Sequence, residues 1–114
     1  MRDLLDRQLS LLVDARTNRG LPPNLSGARP ERLAGSHGVK GVHIAASAWS
    51  AEALKLTRPA SVFARSTECH DQDKVSMGTV AARDCLRVLE LSEQVCAAAL
   101  LAALQALRLR VRRG

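Results

Sequence analysis

The sequence predicts an all-α fold, long helices of a central bundle with a Gly/Pro-rich loop after the first helix. Three observations carry this expectation. Apolar residues recur at helical rather than alternating spacing. From Asp71 to Arg113 there is no Pro and one Gly, Gly78. Aromatic content is 2%, with one Trp, one Phe and no Tyr, so Leu, Ala and Val must fill the core. That suits closely approaching helices better than a sandwich or barrel.

The elements follow in order. Arg2 to Asp14 places leucines at 4, 5, 9, 11 and 12 among charges, an amphipathic helix. Asn18 to Gly38 holds Gly20, Pro22, Pro23, Gly27, Pro30, Gly35 and Gly38, and reads as loop. Val39 to Leu56 reads as a second helix. Its small-residue stripe Gly41, Ala45, Ala48 offers a face for another helix, and Lys40, Ile44 and Ser47 form a neighbouring stripe. Thr57-Arg58-Pro59 ends it, because Pro disfavours helix in the preceding residue. Pro59 to His70 is a connector. From about Asp71 one helix runs to the end, through Val75, Val80, Leu86, Leu89, Leu91 and Val95. At ~1.5 Å per residue it would span nearly 60 Å, too long to bury itself against the rest of the chain. It asks for partner helices, and after Leu91 it is apolar nearly all round, which implies burial. Residues 1–114 are therefore expected to form a single partial domain.

Charge and cysteines narrow the function classes. The net charge is +6, of which Arg108, Arg110, Arg112 and Arg113 supply four units near the end. Such a tail can bind nucleic acid, but no stacking aromatics or reader motif accompany it; the plainer reading is a solvated helix end complementing the C-terminal dipole. Cys69, Cys85 and Cys96 show no paired spacing, so no disulfide framework is expected. The acids among the leucines of MRDLLDRQLSLLVD exclude a secretory leader there. The uncharged run Val95 to Leu107 is shorter than the ~18 to 20 residues needed to span a bilayer. No membrane is expected, and the implied location is cytoplasmic.

The polar cluster Glu68, Cys69, His70, Asp71, Gln72, Asp73, Lys74 stands where connector meets helix. Asp71 and Asp73 fit first-turn acids, which the helix dipole favours. If the helix begins near Glu68, then Glu68 and Gln72 lie at i, i+4, and a carboxylate beside an amide could orient a substrate amine or a water. His37, His43, Cys69 and His70 lack metal-ligand spacing apart from a loose His37–His43 pair, so no metal is expected. Cys69 and His70 are adjacent and would not face each other on a helix. Lys40 alone reads as a solvent-facing helix residue. The Gly38 to Gly41 run lacks the spacing of a phosphate loop.

The order of segments resembles the aromatic amino-acid lyases and aminomutases that use a 4-methylideneimidazole-5-one (MIO) group, the histidine and phenylalanine ammonia-lyase superfamily. The matching pieces are RQLSLLVD (7–14), NRGLPPNL (18–25), HGVKGVHIAASAWSAE (37–52), RPASVFARSTECHDQDKVSMG (58–78) and TVAARDCLRVLEL (79–91). The resemblance implies a homotetramer with a shared helical bundle and active sites where three subunits meet. It places Lys40 and Ile44 in the aromatic-ring pocket and Glu68 near the substrate amino group. Gln72 matches the Gln of the phenylalanine type, where histidine lyases carry Glu. Asp71 departs from the usual Asn, putting a charge beside the site. The implied partners are an aromatic amino-acid substrate and the missing N-terminal part or other lyase subunits. MIO forms from an Ala-Ser-Gly tripeptide, which is absent from this chain, as is the family's Tyr base. The expectation is ammonia elimination to an unsaturated acid by a complete enzyme, with this chain inactive alone. The alternative is a non-catalytic helical assembly module derived from the same bundle.

Overall fold

A computed structural model describes residues 1–112; Arg113, the fourth arginine of the basic end, lies outside them. Three α-helices, α1 (Arg2–Val13), α2 (Lys40–Lys55) and α3 (Gly78–Val111), are joined by segments with short 3-10 turns. Among the described residues there is no strand, only an isolated antiparallel bridge between Thr67 and Gln72.

The shared core follows the helical period. On α3 the buried residues are Leu91, Val95, Ala98, Ala102, Ala106 and Leu109, one stripe at spacings of three and four. Its C-terminal part packs with Leu9 and Val13 of α1 and Ala46 of α2. Alanines at these positions let helices approach closely while contributing little side-chain entropy cost. The approach face of α2 is Ala46, Ser50, Ala53, not the expected stripe: Gly41 and Ala48 are exposed and Ala45 is half-buried. The two stripes are equally small, so apolar size alone did not separate them.

Polar bonds set the α1–α2 register. Ser47 Oγ donates to Asp6 Oδ1 at 2.9 Å. Ser10 Oγ donates to the Asp6 carbonyl at 3.0 Å and lies 2.9 Å from His43 Nε2. Its one proton is thus committed, so His43 Nε2 is the donor in that contact. Arg87 joins α3 to α2 through Glu52 at 3.0 Å, and also meets Glu90 at 3.1 Å. These carboxylates raise the Arg87 pKa further.

The breaker-rich segment is loop in conformation but not loose. Leu21 and Leu25 are buried in the core. Gln105 Nε2 donates to the Leu25 carbonyl at 3.1 Å, and Arg110 donates to the carbonyls of Arg19 at 2.9 Å and Asn18 at 3.1 Å. One cation of the basic end is therefore a clamp on this loop.

One expectation for α3 needs correction. It begins at Gly78, not near Asp71, so Val75 precedes it. Its apolar circumference is not enclosed by this chain: Leu100, Leu101, Leu104 and Leu107 are all about half exposed or more. The N-terminal turns, with Val80, Leu86 and Leu89, are also open. The radius of gyration is 20.5 Å and the extents are 71 × 24 × 20 Å, against about 13 Å for a compact domain of this length.

Candidate functional site

The segment Arg65–Lys74 is a tight loop held by its own backbone. Thr67 N–H donates to the Gln72 carbonyl at 3.0 Å and Gln72 N–H returns to Thr67 at 3.3 Å. His70 N–H reaches the Thr67 carbonyl and Asp71 N–H the Glu68 carbonyl, at 3.1 and 3.0 Å. Val75 N–H donates to the Arg65 carbonyl at 3.3 Å, closing the base of the loop. Inside it, Glu68, Cys69 and His70 have φ of 53°, 54° and 74°. Consecutive left-handed residues other than Gly cost roughly 1–2 kcal/mol each, and such conformations concentrate where function requires them.

This geometry corrects the helical reading of the cluster. Glu68 and Gln72 are not i, i+4 neighbours on a helix; the bridge and the left-handed turn set their positions. Asp71 and Asp73 are not first-turn acids, since the first turn of α3 carries none. Instead Gly78 N–H donates to Ser76 Oγ at 3.3 Å. Glu and Cys carry no left-handed signature and His only a weak one, so little in the sequence announced the turn.

Glu68, Asp71 and Gln72 are all exposed. The Thr67 hydroxyl donates to Gln72 Oε1 at 3.4 Å, leaving the Gln72 amide NH2 free to donate outward. Lys40 opens α2 and Ile44 stands one turn on, 60% exposed, so the two do project from one face. The grooves around Leu9, His37, Phe63, Arg87 and Arg110 are lined by none of these five residues. The chain presents two sets of candidate groups and encloses neither.

Among the described residues no group of three or more His, Cys, Asp or Glu side chains could hold a metal ion. His43 meets Ser10, His70 Nδ1 meets Ser66 Oγ at 2.7 Å, and His37 lines an open groove of the 27–38 loop. Cys69 is exposed and unbonded to the other thiols. The chain's residues do not fit formation of an MIO group, because the required tripeptide is absent.

Residues 1–114 match the family described as aromatic amino acid lyase. The chain is 40% identical over 111 residues to a tyrosine ammonia-lyase of Cereibacter sphaeroides, covering 97% of this chain and 20% of that protein. It is 38% identical over 103 residues to a phenylalanine ammonia-lyase of Agaricus bisporus, covering 90% and 70%. The crystal structure of a tyrosine aminomutase from Streptomyces globisporus superposes with a TM-score of 0.83 at 31% identity, over 96% of this chain and 20% of that one. The chain thus spans about a fifth of the first relative and of the solved structure, and over two thirds of the second. The family match along the whole chain and the shared helical fold agree: this chain belongs to the aromatic amino acid lyase family.

Proposed function

We propose that this chain is one wall of the active site of an aromatic amino-acid ammonia-lyase or aminomutase, completed by polypeptide outside this sequence. The observation that carries the reading is the strained left-handed turn at Glu68–His70, in a loop that leaves Glu68 and Gln72 exposed. In this role the Glu68 carboxylate accepts hydrogen bonds from the substrate ammonium, and the free Gln72 amide donates to the substrate. Lys40 and Ile44 line the ring pocket, and Asp71 adds a negative charge beside it. MIO would supply the electrophile that activates the amine, and a Tyr base would take the β-proton; both must come from elsewhere, since this sequence has neither Ala-Ser-Gly nor Tyr. Alone, the chain is inactive.

The open leucines of α3 support helices of other subunits as its partners, as in a homotetramer. By length and composition α3 could also cross a membrane, a fit that the uncharged run Val95 to Leu107 alone did not suggest. Its neighbours argue against that. Leu5 to Leu12 of α1 line a groove of about 340 Å³ with Cys96 to Ala103 of α3, which would put Asp6 and Arg7 at bilayer depth, where each charge costs several kcal/mol. A cytoplasmic bundle avoids that cost.

Glu68→Ala, introduced into the chain within a complete assembly, should lower turnover of L-phenylalanine or L-tyrosine about 100-fold without changing the size of the assembly. Unchanged turnover would remove Glu68 from the site. The exposed α3 face also favours a non-catalytic assembly module, for which Glu68→Ala and Gln72→Ala leave partner binding intact and no combination turns over substrate.

A further inference from the structure

The Arg65–Lys74 loop is anchored at its base and thinly held at its tip. At the base Ala64 is buried, and the Arg65 guanidinium donates to the Phe63 and Ala64 carbonyls at 3.2 and 3.1 Å. At the tip Glu68, Cys69 and His70 stand at positive φ in succession. Two backbone bonds span that tip, His70 N–H to the Thr67 carbonyl and Asp71 N–H to the Glu68 carbonyl. Neither reaches a residue outside the Thr67–Gln72 bridge.

The side chains of the tip differ in one respect. Those of Glu68, Cys69 and Asp71 make no hydrogen bond or ion pair among the described residues. His70 reaches back: its Nδ1 lies 2.7 Å from Ser66 Oγ, on the segment that enters the turn. Hydroxyl and imidazole can each be the donor, depending on the tautomer. This contact ties the inside of the bridge to the outside, and it is the shortest hydrogen bond in the loop. It closes across four residues, so it costs little chain entropy. His also accepts positive φ more readily than Glu or Cys. Glu68 has no such tie, and its direction follows from the backbone alone. A return of φ to negative values there would swing its carboxylate to another side of the loop.

We propose that Ser66 and His70 are positioning residues, which clasp the left-handed turn and so fix where the Glu68 carboxylate points. The positioning role rests on the reading of Glu68 as the acceptor for the substrate ammonium; the clasp rests on the loop geometry. Gln72 sits on the bridge itself, so the clasp bears on Glu68 rather than on Gln72.

Ser66→Ala removes the hydroxyl, and Ser66→Thr keeps it. In the full 114-residue chain, amide hydrogen exchange at Asp71 should be about fivefold faster in Ser66→Ala. It should stay within about twofold of the parent in Ser66→Thr, and in His70→Asn, whose amide stands where Nδ1 does and which accepts positive φ. In the assembled enzyme Ser66→Ala should lower kcat/KM for L-phenylalanine or L-tyrosine about fivefold, with Ser66→Thr recovering most of it. Added to Glu68→Ala, Ser66→Ala should change kcat/KM by less than about twofold, because its effect passes through that carboxylate. A general loosening of the fold would persist in that background. Exchange at Asp71 unchanged by Ser66→Ala overturns the clasp. Faster exchange with unchanged kcat/KM, or with the full Ser66→Ala loss retained beside Glu68→Ala, overturns the positioning role. Unchanged turnover in Glu68→Ala alone removes the reading of Glu68 and the positioning role with it, while exchange still decides the clasp.

Discussion

Asp14 ends α1, and its carboxylate is bound by Arg16. Arg16 donates to its carboxylate from the backbone N–H at 2.9 Å and from the guanidinium, the shortest bond being 2.7 Å. Those side-chain bonds, then the backbone bond, hold the Asp14 pKa down to about 2. A carboxyl with a folded value below its unfolded value adds stability above the unfolded value, and loses it as pH falls through the folded one. NMR titration should therefore show Asp14 ionised at mildly acidic pH with a midpoint near 2, and Arg16→Gln should move that midpoint up towards the ordinary value of 3.8. Gly38 is a second point where one residue decides local structure. Its φ is +52°, and a Cβ there would collide with the Asn24 carbonyl oxygen, the acceptor for Val39 N–H at 2.9 Å. Gly38→Ala should destabilise the fold by about 1–3 kcal/mol, measured as a lower denaturant midpoint. The sequence marked Gly38 as a breaker, but the need for a left-handed residue comes from Asn24, which its neighbours in sequence do not reveal. Glu68–His70 hid the same conformation behind residues that rarely adopt it.

At the scale of elements, the helices were legible where apolar spacing and punctuation coincide. α1 runs Arg2–Val13 and α2 Lys40–Lys55, each within a residue of its expected bounds, because Asp14 and Thr57-Arg58-Pro59 stop them. The start of α3 was not legible: residues 71 to 77 contain no breaker, and the bridge between Thr67 and Gln72 takes their backbone elsewhere. The face of α2 was misassigned because small residues occupy both stripes. This is testable by size. Ala46, fully buried, should tolerate no enlargement, and Ala46→Leu should cost about 1–3 kcal/mol. Exposed Ala48→Leu should stay within about 0.5 kcal/mol. A reversed order in denaturant unfolding would place the α2–α3 contact on the stripe the sequence suggested. The candidate residues divide in the same way. Lys40 and Ile44 share a face because helical spacing dictates it, whereas Glu68 and Gln72 are related by loop geometry that spacing misrepresented.

For the molecule as a whole, the chain exposes 8356 Å², where a compact monomer of this mass exposes about 6,100 Å². On the long helix α3 the leucines at 86, 89, 100, 101, 104 and 107 face outward. A core of alanines on one stripe does not cover such a helix, so its remaining sides call for other helices. The candidate catalytic groups are incomplete in the same sense: exposed, held in position, and without the electrophile or base that the proposed function requires. The most direct measurement is ultraviolet absorbance of the unsaturated acid formed from L-phenylalanine or L-tyrosine. It should be followed for this chain alone, for a separately expressed lyase portion carrying Ala-Ser-Gly and the Tyr loop, and for the two mixed. A rise in the mixture alone is the expected result; a rise with this chain alone, or none in the mixture, would contradict the account.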